Sequence, residues 1–114
     1  MMELSVALAV VEGCPFDALN DPKRLEELLD RSVEAGRFTE LHRYVHRFEP
    51  QGLTAVVVLA ESHIALHSWP ENGTLFVDIA SCSGGETAEQ ALQAILHALP
   101  HERVRREGME HRAP

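Results

Sequence analysis

Residues 53–80 read LTAVVVLAESHIALHSWPENGTLFVDIA. Leu53 to Leu59 is an almost unbroken aliphatic, β-branched run of strand length, the pattern of a strand buried in a sheet. His63 to Trp69 makes another short strand. Pro70-Glu71-Asn72-Gly73 supplies a hairpin turn with a residue pair suited to positive φ, and Thr74 to Ala80 returns. The middle of the chain is therefore an antiparallel meander. Upstream, Phe38 to Phe48 mixes aromatic, β-branched and basic residues and stops at Glu49-Pro50-Gln51-Gly52, a half-exposed strand followed by a tight turn. Before it, Asn20 or Asp21 can cap a helix with Pro22 in its first turn, and Leu25, Leu28, Leu29 and Val33 recur at helical spacing until Gly36. Leu4 to Val11 reads as a buried strand closed by Glu12-Gly13-Cys14-Pro15. Downstream, Thr87 and Gln90 suggest a capping box for a helix whose Ala91, Leu92, Ile95, Leu96 and Leu99 face inward, ending at Pro100. A last strand runs from Glu102 to Met109, and residues 110–114 have no apolar anchor and are expected to fray.

The order β-α-β-β-β-β-α-β, without linker, low-complexity segment or repeat, predicts a single α+β domain over residues 1–114. Its architecture is a two-layer sandwich, a mainly antiparallel sheet with two helices on one face. The uncovered face must then be polar or packed against a second copy, so a homodimer is expected. The 114 residues are 45% apolar and 25% charged, ordinary for one soluble domain. The net charge of -8, from 10 basic and 18 acidic side chains, repels phosphate backbones and anionic lipids. Nucleic acid and membrane are not expected as partners, whereas cationic small molecules fit the field. No apolar run approaches the ~20 residues of a membrane span. The Met-Met-Glu start lacks the basic residues of an export signal, so the expected location is the cytoplasm. Cys14 and Cys82 could pair in principle, but a reducing compartment keeps them as free thiols.

The densest polar cluster interrupts otherwise apolar strands: Glu61, Ser62, His63, His67, Glu71, Asp78, Ser81 and Cys82. Polar groups cost free energy when buried without partners, so such a cluster needs a reason. His63 and His67 are separated by an even number of residues and share one face of a strand, whereas Ser62 differs in parity. Each histidine alone reads as a hydrogen-bonded sheet residue. His63, His67 and Cys82 together have the ligand types zinc takes, but their spacing matches no compact zinc motif, and no metal is expected. His42 and His46 have the helical spacing of metal ligands but lie in a segment read as a strand, and are taken as surface residues. A Ser-His-Asp hydrolase needs a glycine-flanked nucleophile elbow, which Ala60-Glu61-Ser62-His63-Ile64 lacks.

Three runs carry a resemblance: Phe48-Glu49-Pro50-Gln51-Gly52-Leu53-Thr54, then Ala60-Glu61-Ser62-His63-Ile64-Ala65-Leu66-His67-Ser68-Trp69-Pro70-Glu71, then Phe76-Val77-Asp78-Ile79-Ala80-Ser81-Cys82. They resemble the prokaryotic S-adenosylmethionine decarboxylase proenzymes, strongly over residues 48–82 and in outline elsewhere. The resemblance implies a self-processing enzyme of polyamine (spermidine) synthesis that makes its own pyruvoyl cofactor from Ser62, without pyridoxal phosphate. By the family pattern, Ser62 Oγ attacks the carbonyl of Glu61 and turns the peptide bond into an ester. Thr54 stands where relatives use a serine hydroxyl to hold the intermediate. His67 removes the Cα proton of residue 62, leaving chains 1–61 and 62–114. The pyruvoyl carbonyl then forms a Schiff base with the α-amine of the substrate and accepts electrons as carbon dioxide leaves. Cys82 matches the proton donor, a role its alternative as a small buried hydrophobe would not fill. Phe48 matches the residue that stacks on adenine, and Glu71 the carboxylate that binds ribose hydroxyls. Many relatives carry a His and an Asp in the first strand ahead of Tyr-Gly-Cys, where this chain has Val6, Val10 and Glu12-Gly13-Cys14. The resemblance thus implies S-adenosylmethionine as substrate, with arginine or ornithine as the alternative within the same chemistry. An unprocessed paralogue that binds a partner or ligand without catalysis is the reading from another class.

Overall fold

The computed structural model describes residues 3–84 and 86–112. The elements are β1 (Glu3–Glu12), α1 (Phe16–Leu19), α2 (Pro22–Ala35), β2 (Glu40–Arg47), β3 (Leu53–Leu59), β4 (Ser62–Trp69), β5 (Thr74–Ser81), α3 (Thr87–Ala98) and β6 (Arg103–Arg112). The strands form one antiparallel sheet in the order β2-β3-β4-β5-β1-β6, and α2 and α3 pack together on one face. The α+β two-layer fold is as the sequence predicts.

The core follows from strand alternation. Leu53, Ala55, Val57 and Leu59 of β3, Ile64 and Leu66 of β4, Leu75, Val77 and Ile79 of β5 and Ala7, Ala9 and Val11 of β1 are all buried. They meet Leu25, Leu28 and Leu29 of α2 and Ala88, Ala91, Leu92 and Ile95 of α3. Asp21 caps α2 by accepting from the Lys23 amide at 2.9 Å, with Pro22 opening the helix, while Gly36 closes it. Ser32, buried between the helices, donates to the Ala91 carbonyl at 3.1 Å and fixes their mutual position. Asn20 does not cap the helix; its side-chain oxygen accepts from the Gly52 amide at 3.1 Å instead.

Several local expectations are corrected. Residues 110–112 do not fray: Glu110, His111 and Arg112 pair with Ser5, Leu4 and Glu3 as the end of β6. Backbone pairing and the Arg112–Glu3 ion pair at 3.4 Å hold this segment without any apolar anchor. Residues 113 and 114 lie outside the described residues. The Thr87–Gln90 capping box does not form, because Thr87 is already the first helical residue. Its hydroxyl donates back to the Gly84 carbonyl at 3.2 Å. The turn Pro70–Asn72 is a 3-10 turn in which only Gly73 has positive φ, at 62°. A Cβ at Gly73 would lie 3.0 Å from the Cys14 carbonyl, so this close approach also selects glycine.

The face turned away from the helices carries His42, Tyr44 and His46, then Thr54, Val56 and Val58, then His63, Ala65, His67 and Trp69, then Thr74, Phe76, Asp78 and Ala80. It continues through Leu4, Val6, Leu8 and Val10 of β1. This open face holds most of the residues singled out from the sequence. No helix among the described residues is long and apolar enough to cross a membrane.

Candidate active site

The centre of the site is the short connection Ala60-Glu61 between β3 and β4. Leu59 pairs directly with Ser62, so the chain reverses within two residues. This tight reversal puts Ser62 at φ 152°, a region that side-chain-bearing residues avoid and that costs about 1–3 kcal/mol. The Glu61 carbonyl accepts from the Cys82 amide at 2.8 Å, and the Glu61 carboxylate accepts from the Thr39 amide at 3.0 Å. The Glu61–Ser62 peptide is thereby clamped on its carbonyl side while its serine is strained.

Beside it, Ser62 Oγ lies 3.5 Å from His63 Nδ1, and His63 Nε2 lies 3.3 Å from Asp78 Oδ1. Further along the face, Thr54 Oγ1 is 3.0 Å from His67 Nδ1, and the His67 ring stacks near Phe76 with centroids 6.0 Å apart. The register sets a row across the sheet of His46, Thr54, His67, Phe76 and Val10. Phe48 extends it with an edge contact to His46 at 4.5 Å between centroids. Phe48, Glu71 and Cys82 are exposed, whereas Cys14 is buried in the core; both cysteines are free.

The structure therefore divides the predicted residues into two groups. Glu61, Ser62 and the Cys82 amide meet at one end of β4, with His63 and Asp78. Thr54 and His67 meet toward the other end, where Phe48 packs on His46, the strand neighbour of Thr54. Ser62 and His67 are separated by five residues of extended strand, about 16 Å. His63 and His67 are likewise too far apart to share a metal, and no group of three His, Cys, Asp or Glu side chains among the described residues is placed to hold a metal ion.

The chain matches the family described as S-adenosylmethionine decarboxylase over residues 7–112. The chain belongs to the S-adenosylmethionine decarboxylase family. Among relatives, the S-adenosylmethionine decarboxylase proenzyme of Carboxydothermus hydrogenoformans is 48% identical over 84 residues, which span 72% of this chain and 63% of that protein. The proenzyme of Persephonella marina is 36% identical over 97 residues, 85% of this chain and 73% of that protein. The solved adenosylmethionine decarboxylase from Aquifex aeolicus superimposes with a TM-score of 0.87 at 31% identity, over 95% of this chain and 88% of that one. The alignment thus leaves more than a third of the Carboxydothermus protein unmatched.

Sequence reasoning about this family member missed the partnership of His63 with Asp78 and the clamp from the Cys82 amide. The first was available as a signal. Residues equidistant from the Glu71–Asn72 peptide face each other across the β4–β5 hairpin, which places Ala80 opposite His63 and Asp78 on the adjacent diagonal. The clamp depends on backbone position alone and leaves no trace in residue types.

Proposed function

We propose that this chain matures by cutting itself between Glu61 and Ser62, into 1–61 and 62–114, and that the mature protein decarboxylates S-adenosylmethionine in polyamine synthesis. The observation that carries this reading is the Glu61–Ser62 peptide itself: a strained serine whose preceding carbonyl is already polarised by an amide N–H. A donor at 2.8 Å from that oxygen is placed to stabilise the negative charge that develops when a hydroxyl attacks the carbonyl carbon. The strain favours conversion of the peptide to an ester, which frees Ser62 from its disfavoured φ.

These features fit a pyruvoyl group at position 62. Such a group supplies a carbonyl that condenses with a substrate amine and accepts the electron pair released with carbon dioxide. The chain's own residues do the rest. Cys82, exposed at the end of β5, can hold a proton at Sγ for delivery to the decarboxylated carbon. Phe48 offers an exposed aromatic face for stacking, and Glu71 an exposed carboxylate for hydroxyls or a positive charge. Thr54 keeps the hydroxyl that relatives supply from serine, and its contact with His67 supports a processing-competent chain over a stalled paralogue.

The separation of about 16 Å between Ser62 and His67 along β4 means that one protomer cannot bring both to one atom. The same open face exposes Tyr44, Phe48, Val58, Trp69 and Met109, apolar area that a second copy would cover. A second copy laid against this face in the opposite direction would bring its His67, Thr54, Phe48 and Glu71 to the first copy's Ser62 and Cys82. The homodimer is therefore part of the proposal.

Val6 and Val10, aliphatic residues on the open face where many relatives carry polar ones, favour a second reading in which arginine or ornithine is the substrate. Intact mass under denaturing conditions tests the maturation. Two fragments divided between Glu61 and Ser62, the second lacking a free amine and absent from Ser62→Ala, support it; a single uncut chain after prolonged incubation rejects it. Processed protein offered S-adenosylmethionine, arginine and ornithine in turn should release carbon dioxide from the first, and release from arginine or ornithine alone would transfer the assignment to the second reading.

A further inference from the structure

We propose that His63, oriented by Asp78, is the base that takes the proton from Ser62 Oγ in the first step of self-cleavage. The inference rests on the self-processing reading above and extends it to a residue with no role so far. Attack on the Glu61 carbonyl requires a base at the hydroxyl; His67 of the same chain is about 16 Å away along the strand, and the His67 that a second copy would bring has the later task of taking the Cα proton of residue 62. His63 Nδ1 is 3.5 Å from Ser62 Oγ, a loose contact of the kind that tightens during reaction. At its other ring nitrogen, His63 faces the Asp78 carboxylate at 3.3 Å. A carboxylate can only accept, so it keeps the imidazole proton on Nε2 and leaves the Nδ1 lone pair turned toward the serine hydroxyl. The disfavoured φ of Ser62 is what lets adjacent residues of opposite strand parity bring their side chains together.

The step balances within the chain. The Oγ–H proton passes to His63 Nδ1 as the bond from Oγ to the Glu61 carbonyl carbon forms, and the carbonyl oxygen becomes an oxyanion held by the Cys82 amide. Collapse of this adduct breaks the bond from carbon to the Ser62 nitrogen, which takes the proton back from His63. The products are an ester between Glu61 and Ser62 Oγ and a free amine on Ser62, with His63 restored. His63 touches a reacting atom and is catalytic in this step; Asp78 acts through it as a positioning residue.

The full-length chain carries the test, with cleavage followed by denaturing mass spectrometry. His63→Ala should slow cleavage by about a hundredfold or more, the usual loss of a general base. Asp78→Asn should slow it less, and Asp78→Glu, which restores the carboxylate, should recover part of the rate; a merely structural aspartate would not distinguish these two. Thermal melts by circular dichroism confirm folding, and His63→Gln replaces the alanine variant if that one melts early. To isolate the step, His67→Ala, in which the ester accumulates, is treated with hydroxylamine, which cuts esters at neutral pH. That chain should be cut after Glu61, and the His63→Ala, His67→Ala double variant should resist. Cleavage of folded His63→Ala at the wild-type rate, or equal hydroxylamine cutting of both chains, overturns the inference and leaves self-processing intact. An uncut wild type overturns both.

Discussion

Cys14 and Cys82 carry the same thiol in opposite surroundings. Cys14 is buried behind β1, its Sγ 3.7 Å from the Val11 carbonyl, and burial pushes its pKa up from 9.0 to about 11. An alkylating agent at neutral pH should therefore label Cys82 in the folded protein and Cys14 only after unfolding, as peptide mapping would report. The raised value also sets a sign. Below pH 9 both folded and unfolded thiols are protonated and the contribution to stability is complete; between 9 and about 11 only the unfolded thiol ionises, so stability falls. Urea midpoints across that window should drop more steeply for wild type than for Cys14→Ala. At Ser62 the comparison of two uncut variants reads the strain: Ser62→Gly accepts the φ of 152° that Ser62→Ala must still bear. The glycine variant should be more stable by about 1–3 kcal/mol in chemical unfolding.

Elements are joined at points where a single polar atom serves several of them. Ser68 on β4 is buried; its hydroxyl donates to the Leu19 carbonyl of α1 at 2.8 Å and accepts from the Leu53 amide of β3 at 2.9 Å. Ser68→Ala leaves both backbone groups unpaired, so a loss of about 1–3 kcal/mol is expected in urea unfolding, without loss of the cleavage site. The strands β3, β4 and β5 were legible because their aliphatic runs and the Pro70–Gly73 turn state both type and boundary. The end of β6 was not, because an exposed edge strand of arginines and glutamates is held by backbone pairing and carries no alternation to read. The four-residue α1 was missed because a single helical turn shows no periodicity. The candidate site was readable in the Glu61-Ser62 pair, where the family motif concentrates. The distance from Ser62 to His67 follows from strand rise, yet a motif read as a list places them in one site.

Across the whole molecule, the open face is where a second copy is expected, and mixing variants tests it. Ser62→Ala and His67→Ala chains, each uncut alone, should upon subunit exchange yield cleaved His67→Ala chain, since its Ser62 then meets an intact His67 from its neighbour. Failure of the mixture to cut after confirmed exchange would remove the shared site. The strand order carries a consequence of another kind. Residues 1–61 supply β1, β2 and β3 and residues 62–114 supply β4, β5 and β6, with β1 lodged between β5 and β6. A cut between Glu61 and Ser62 leaves the two polypeptides dovetailed, neither of them owning a contiguous sheet. They could part only by global unfolding, and the hydrogen-bonded ladders would hide the break from any probe of the native state. Return from denaturant would differ: the uncut chain refolds as one body at a rate independent of dilution, whereas the cut halves must first find each other. The fold would thus be assembled once, while the chain is whole, and thereafter kept by kinetics.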